Sequence, residues 1–294
     1  MTWSCMILYT FIILLILWWI QKSTLHIEPF STLYPWNQCS TKNERKLIRT
    51  FQEYGCIIIP NILEDEDCDA IQDIIFKEEH SRNAEMGSIH ANHKRKDLML
   101  PLSDTIPYIK NIVDKISYFC DIEVPDAKIV ECSSLISYKG CYPQIWHADT
   151  TYSNNINEGN LISFGIALED VNEDMGPLEV YLSSNKMYET SKESLRKRFS
   201  LLDDDLEENY DDGTKYQIIR EICEKMQYKH AKCSCPRGSL VIWSSKTVHR
   251  GGENRDKERP IFYFSLLGRG NKPQGATYSL KNNEKILKTR DLKK

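Results

Sequence analysis

Two histidines and an aspartate carry the most specific chemistry in this sequence. His147 and Asp149 lie in Gln144-Ile145-Trp146-His147-Ala148-Asp149, and His249 opens His249-Arg250-Gly251-Gly252-Glu253-Asn254 about a hundred residues later. Two imidazoles and one carboxylate are the ligand set of a facial triad for non-haem Fe(II). Three protein ligands leave three positions of an octahedral ion open, enough for a bidentate cosubstrate and O2. Arg259 follows the second histidine, ahead of Pro260. A guanidinium binds a carboxylate through two parallel hydrogen bonds, so Arg259 is the expected partner of a cosubstrate carboxylate.

These side chains need extended backbone to meet. On a strand, residues i and i+2 face the same way, so His147 and Asp149 reach one metal while Ala148 points away. Thr151 shares their parity and is the expected substrate contact; Gln144 has the opposite parity and should face away unless the strand bulges. Gly238 to Trp243 reads as a buried strand leading to His249, and Gly251-Gly252 supply a turn. Arg259 to Leu267 alternates again, with Arg259, Ile261, Tyr263 and Ser265 on one face.

Upstream, Asn43 to Tyr54 reads as a helix, Ile57 to Ile59 as a buried strand and Glu64 to Glu79 as an amphipathic helix with Ala70, Ile71, Ile74 and Ile75 on one side. Pro107 to Tyr118 reads as a further helix. Ala127 to Tyr138 and Leu161 to Leu168 read as strands flanking the metal strand. Residues 186–232 form an insertion, mostly helical, with helices over Glu189 to Phe199 and Lys215 to Tyr228 and an acidic run from Asp203 to Asp212 between them. That run lacks EF-hand spacing and reads as a solvated loop.

Four stretches together resemble the phytanoyl-CoA dioxygenase family of Fe(II)/2-oxoglutarate oxygenases. They are Phe51 to Pro60 with Leu63 to Ile75, Trp146 to Asp149, Gly176 to Val180, and Gly238 to Pro260 including Asn254. The resemblance implies that His147, Asp149 and His249 ligate iron and that Arg259 binds the far carboxylate of 2-oxoglutarate. It implies a dioxygenase using Fe(II), 2-oxoglutarate and O2, with ascorbate as an accessory reductant, which hydroxylates a C–H bond and releases succinate and CO2. The implied fold is mainly β with flanking helices, a double-stranded β-helix of the jelly-roll or cupin type. The chain departs from the family at Leu182-Ser183-Ser184-Asn185-Lys186, where Pro-Gly-Ser-His-Lys is usual, and this alters a loop that often borders the site. Asp149 is retained, which argues against a halogenase.

The chain of 294 residues suits one catalytic domain plus an anchor. From Thr2 to Ile20 no side chain is charged. A helix of about nineteen residues spans ~28 Å, close to the hydrocarbon thickness of a bilayer. Trp18-Trp19 sit where interfacial aromatics belong, and neither a basic leader nor a small-residue cleavage site marks a signal peptide. The expected organisation is a transmembrane anchor over 1–21, a linker over 22–42 broken by Pro29 and Pro35, a dioxygenase domain over 43–275 and a basic tail over 276–294. Lys22 follows the apolar helix and no Lys or Arg precedes it, which leans towards a single-pass membrane protein with a cytoplasmic catalytic domain.

A net charge of −4 gives no reason to expect nucleic acid as a partner. The expected substrate is a small or lipid-like molecule. The basic cluster His93-Lys94-Arg95-Lys96 is either a solvated loop or a contact to an anion. Ten cysteines show no disulfide framework, and His230-x-x-Cys233-x-Cys235 lacks the fourth ligand of a zinc site. Cys132, Cys141 and Cys223 lie in apolar contexts and read as core thiols. Two other classes share the pattern. A catalytically inactive jelly-roll binding module tethered to a membrane would not need the intact triad. A cupin-type metalloenzyme that does not use 2-oxoglutarate would not need Arg259.

Overall fold

Alternating side chains build a wall with an apolar outer face and a chemically mixed inner one. A computed structural model describes residues 41–82, 84–86, 94–150, 155–189, 212–281 and 287–288. Four helices come mainly before the barrel strands: α1 (Thr41–Tyr54), α2 (Asp65–Glu79), α3 (Leu102–Lys115) and α4 (Ser117–Glu123), with β1 (Cys56–Ile59) and β2 (Arg95–Met99) between them. Then follow β3 (Lys128–Ser137), β4 (Leu161–Ala167), β5 (Leu178–Tyr181), α5 (Asp212–Lys225), β6 (His230–Lys232), β7 (Leu240–Ser244), β8 (His249–Gly251) and β9 (Arg259–Leu267). A six-stranded antiparallel sheet has the order β1-β7-β4-β9-β3-β2, and a three-stranded sheet has the order β6-β5-β8. The result is a mainly antiparallel, jelly-roll-like fold with flanking helices.

Strand alternation sorts the large sheet. Ile162, Phe164 and Ile166 of β4, and Phe262, Phe264 and Leu266 of β9, are buried against Phe51, Ile71, Ile109 and Phe119 of the helices. Phe164 and Phe264 are direct cross-strand partners whose rings stack at 5.0 Å, and Phe119 meets Phe164 edge-on. Such aromatic pairs add stability beyond their buried area, and burial itself is worth roughly 25 cal/mol per Å². The other parity, including Ser163 and Gly165 of β4 and Arg259, Ile261, Tyr263 and Ser265 of β9, lines an internal cavity of about 560 Å³. The alternation read from Arg259 to Leu267 is therefore present.

Several expectations are corrected. Helix α3 begins at Leu102, with Pro107 inside it. The buried stripe Leu102, Thr105, Ile109, Ile112 and Val113 holds that helix together despite the hydrogen bond a proline forfeits. The strands expected on either side of the metal segment are present at 128–137 and 161–167, but they pair with β9, which lies between them, and not with that segment. The insertion ends in strand β6, which pairs with β5, because its backbone completes the edge of the small sheet. Residues 276–281, assigned to a tail from sequence, pack onto β3: the Ser279 N–H donates to Val130 O, and the Cys132 N–H donates to Ser279 O. Among the described residues no cysteine forms a disulfide, and the cysteines are buried, Cys132, Cys141 and Cys223 included. No helix among the described residues is long and apolar enough to cross a membrane. The anchor over 1–21, nearly all of the linker over 22–42, Thr151, the helix over 189–199 except its first residue and most of the acidic run lie outside the described residues.

Candidate metal centre

The first metal segment is not a regular strand. His147 and His249 form an isolated antiparallel bridge, each N–H donating to the other's carbonyl at 3.0 and 2.8 Å. The chain then bends at Asp149, and the Thr150 N–H donates to Ser245 O at 3.2 Å. This bend turns the carboxylate back over the two imidazoles, so the i and i+2 residues still meet.

His147, Asp149 and His249 each offer a ligand atom, and those atoms lie within 4.8 Å of one another. Asp149 Oδ1 is 3.9 Å from His147 Nε2 and 3.5 Å from His249 Nε2. Both Nδ1 atoms are committed to backbone. His147 Nδ1 lies 2.8 Å from Ile145 O, and His249 Nδ1 lies 2.8 Å from Thr247 O. A carbonyl only accepts, so each Nδ1 carries the proton and each Nε2 presents its lone pair to the centre. Burial, reinforced by the neighbouring His249, pushes the His147 imidazole down to about 4, which keeps it in the neutral form a metal needs. Trp243 Nε1 donates to Asp149 Oδ2 at 3.3 Å and leaves Oδ1 facing the histidines. Gly165 makes room for that indole, since a Cβ there would lie 3.0 Å from Trp243 Cζ3. Among the described residues, no other group of three or more His, Cys, Asp or Glu brings its ligand atoms this close.

Arg259 lines the same cavity and is buried. Its Nη2 donates to Ser137 Oγ at 3.2 Å, and its Nε has no hydrogen-bond partner. Arg95 reaches the same hydroxyl with Nε at 3.1 Å and donates from Nη2 to Gly252 O at 2.9 Å. Neither arginine has an ion-pair partner among the described residues. Burial, and then the charge of Arg95, push the Arg259 guanidinium down to about 10, and burial lowers Arg95 too. Two desolvated cations and an orphaned donor form a cradle that fits a carboxylate.

The basic cluster therefore divides. Arg95 faces the cavity, while Lys96 pairs with Glu79 on the outside. Gln144 also borders the cavity, against the expectation from parity, because its stretch lies outside any regular strand. Its Oε1 accepts the Gly251 N–H at 2.7 Å and braces β8 behind His249. Arg250 points elsewhere, pairing with Glu179 and covering the Trp146 ring. His230 also pairs with Glu179, and the ligand atoms of His230, Cys233 and Cys235 do not come together as those of the triad do. The divergent loop at 182–186 stays out of the cavity. Ser184 Oγ instead accepts the Val248 N–H at 2.8 Å and donates to Tyr181 O, which fixes the approach to His249.

Sequence and fold comparisons agree with this geometry. The family described as phytanoyl-CoA dioxygenase (PhyH) matches residues 51–260. The chain belongs to this family. The match covers both metal segments and ends just past Arg259. A comparison with curated proteins finds no match by sequence. Solved structures share the fold of this PhyH member at low identity. The non-heme alpha ketoglutarate dependent carbocyclase SnoK from nogalamycin biosynthesis is 13% identical with a TM-score of 0.58, over 86% of this chain and 92% of that one. The epimerase SnoN, in complex with Fe3+, alpha ketoglutarate and nogalamycin RO, is 12% identical with a TM-score of 0.59, over 85% and 100%. HygX from Streptomyces hygroscopicus, with nickel, 2-oxoglutarate and hygromycin B bound, is 11% identical with a TM-score of 0.54, over 84% and 99%.

Proposed function

We propose that this PhyH-family protein is an Fe(II)- and 2-oxoglutarate-dependent dioxygenase that hydroxylates a C–H bond of a small or lipid-like substrate. The observation that carries this reading is the joint presence, in one cavity, of a triad with both Nε2 lone pairs turned inward and a buried arginine with an unpartnered donor. His147, Asp149 and His249 would hold the iron, and Arg259, with Arg95 beside it, would take the far carboxylate of 2-oxoglutarate. When bound, iron and 2-oxoglutarate supply the oxidising power: O2 is consumed, 2-oxoglutarate becomes succinate and CO2, and one oxygen atom passes to the substrate carbon. The protein's own residues orient and select. Backbone carbonyls set the imidazole tautomers, Trp243 sets the carboxylate, and strands of both sheets line the cavity around the reacting groups. SnoN and HygX carry a metal and 2-oxoglutarate on the same fold, which supports the same cofactors here. We further propose that residues 1–21 anchor the domain in a membrane as a single pass, with the catalytic domain on the cytoplasmic side.

Purified protein supplied with Fe(II), ascorbate and O2 should convert 2-oxoglutarate to succinate, and a substrate product should gain one oxygen atom. His147→Ala, Asp149→Ala and His249→Ala should each abolish turnover and metal binding while circular dichroism stays that of wild type. Near-normal succinate formation by folded His249→Ala would refute the triad.

A further inference from the structure

Glu131 lines the cavity and is not part of the triad's group of ligand atoms. A bulge puts it there. Ile129 pairs with Leu266 and Glu131 pairs with Ser265, so Val130 is an extra residue in β3. In a regular strand Ile129 and Glu131 would share a face; here Ile129 joins the apolar core and Glu131 turns into the cavity. The C-terminal segment holds the irregular backbone, since Val130 O accepts the Ser279 N–H and the Ile129 N–H donates to Leu287 O at 2.9 Å.

The surroundings of this carboxyl define what it would take. Ser265 Oγ donates to Glu131 Oε2, and Ser163 Oγ lies 3.0 Å from Ser265 Oγ. Its charged neighbours are Asp149 and Asp97, both acids. Asp97 is engaged by the Tyr263 hydroxyl at 2.7 Å. The cavity's two arginines lie at the opposite end of the β3–β9 ladder. Ser137 pairs with Arg259, six residues along β3 from Glu131, or about 20 Å at strand rise. The cavity is thus charge-segregated, with cations at one end and an uncompensated acid at the other. Burial pushes the Glu131 carboxyl up to about 8, as expected for an acid without a counter-charge.

We propose that Glu131, with Ser265 and Ser163, forms a substrate subsite for a basic nitrogen, so that the substrate of this site is an amine. This rests on the dioxygenase reading above. An ammonium group here stabilises the ionised form of the only cavity acid outside the triad among the described residues, so its binding releases the Glu131 proton to solvent and pairs the cation with the carboxylate. Asp149 of the triad lines the same cavity, so a substrate held by its nitrogen at Glu131 shares that cavity with the metal site.

The test uses full-length protein loaded with Fe(II) without O2, in detergent, with titrations into empty micelles subtracted. 2-Oxoglutarate is titrated first, then n-butylammonium, 1-butanol or butyrate into the loaded protein, for wild type and Glu131→Gln. Butylammonium should bind wild type at least roughly tenfold more tightly than 1-butanol, with butyrate weakest, and Glu131→Gln should lose that preference while binding 2-oxoglutarate as wild type does. Equal binding of amine and alcohol by wild type, or a preference that survives Glu131→Gln, overturns the amine subsite and leaves the dioxygenase reading intact. Failure of 2-oxoglutarate to bind the metal-loaded wild type strikes the dioxygenase reading instead. The wild-type comparison stands even if the variant does not fold.

Discussion

Replacing Glu131 with glutamine should make the metal-free protein more stable, by an amount that grows with pH. The wild-type carboxyl titrates near 8 in the folded chain, against 4.5 for the ordinary side chain, because burial disfavours its charged form. Its folded-state value is raised, so its contribution to stability is fully present below about 4.5 and is lost as pH rises through about 8. Over that window the unfolded chain ionises Glu131 and gains solvation that the folded chain cannot match. At 1.36 kcal/mol per tenfold, the full interval corresponds to roughly 4–5 kcal/mol, an upper bound for a side chain that borders a cavity. Glutamine keeps the shape and an acceptor for the Ser265 hydroxyl but does not titrate. Urea denaturation of both proteins in EDTA, from pH 4.5 to 8.5, should show the variant's advantage widening by about 1 kcal/mol per pH unit through the middle of the range. The shared histidines cancel in the difference. A difference that stays flat with pH would show that Glu131 is not a desolvated acid.

Three other outcomes follow from the geometry. Arg259→Lys keeps a charge but loses the fork, and should raise the KM for 2-oxoglutarate roughly tenfold to a hundredfold with iron affinity nearly unchanged; steady-state succinate formation measures it. Trp243→Phe removes the donor to Asp149 Oδ2 and should weaken metal binding roughly tenfold or more, as read by competition with a chelator, whereas unchanged affinity would mean the indole does not orient the carboxylate. Full-length protein should resist carbonate and high-salt extraction, deletion of residues 1–25 should yield a soluble active enzyme, and protease treatment of sealed microsomes should digest the catalytic domain; a protected domain would reverse the orientation.

The sequence by itself determined the parts of the site whose signal is local. His-x-Asp places two ligands within reach of one ion whether the backbone is a strand or, as here, an extended bend. The alternation from Arg259 to Ser265 places an arginine on the cavity face, because β9 is a regular central strand whose period of two is obeyed throughout. Tertiary structure alone decided the rest. Gln144 and Glu131 escape a parity argument because one lies in an irregular segment and the other follows a bulge, and a single extra residue exchanges the two faces of a strand. The bulge at Val130 is held by the Ser279 N–H, which donates to Val130 O, and by Leu287 O, which accepts the Ile129 N–H, both about 150 residues away in the chain. Arg95 reads as one of four residues in a basic run, and only the pairing of β2 with β3 turns it inward to Ser137 and Gly252 while Lys96 points out. The imidazole tautomers likewise rest on where two carbonyls fall in the fold. Local periodicity specifies which face a side chain takes in a regular element. Irregular backbone is specified by distant partners that satisfy its N–H and C=O groups, and those partners exist only once the chain has folded.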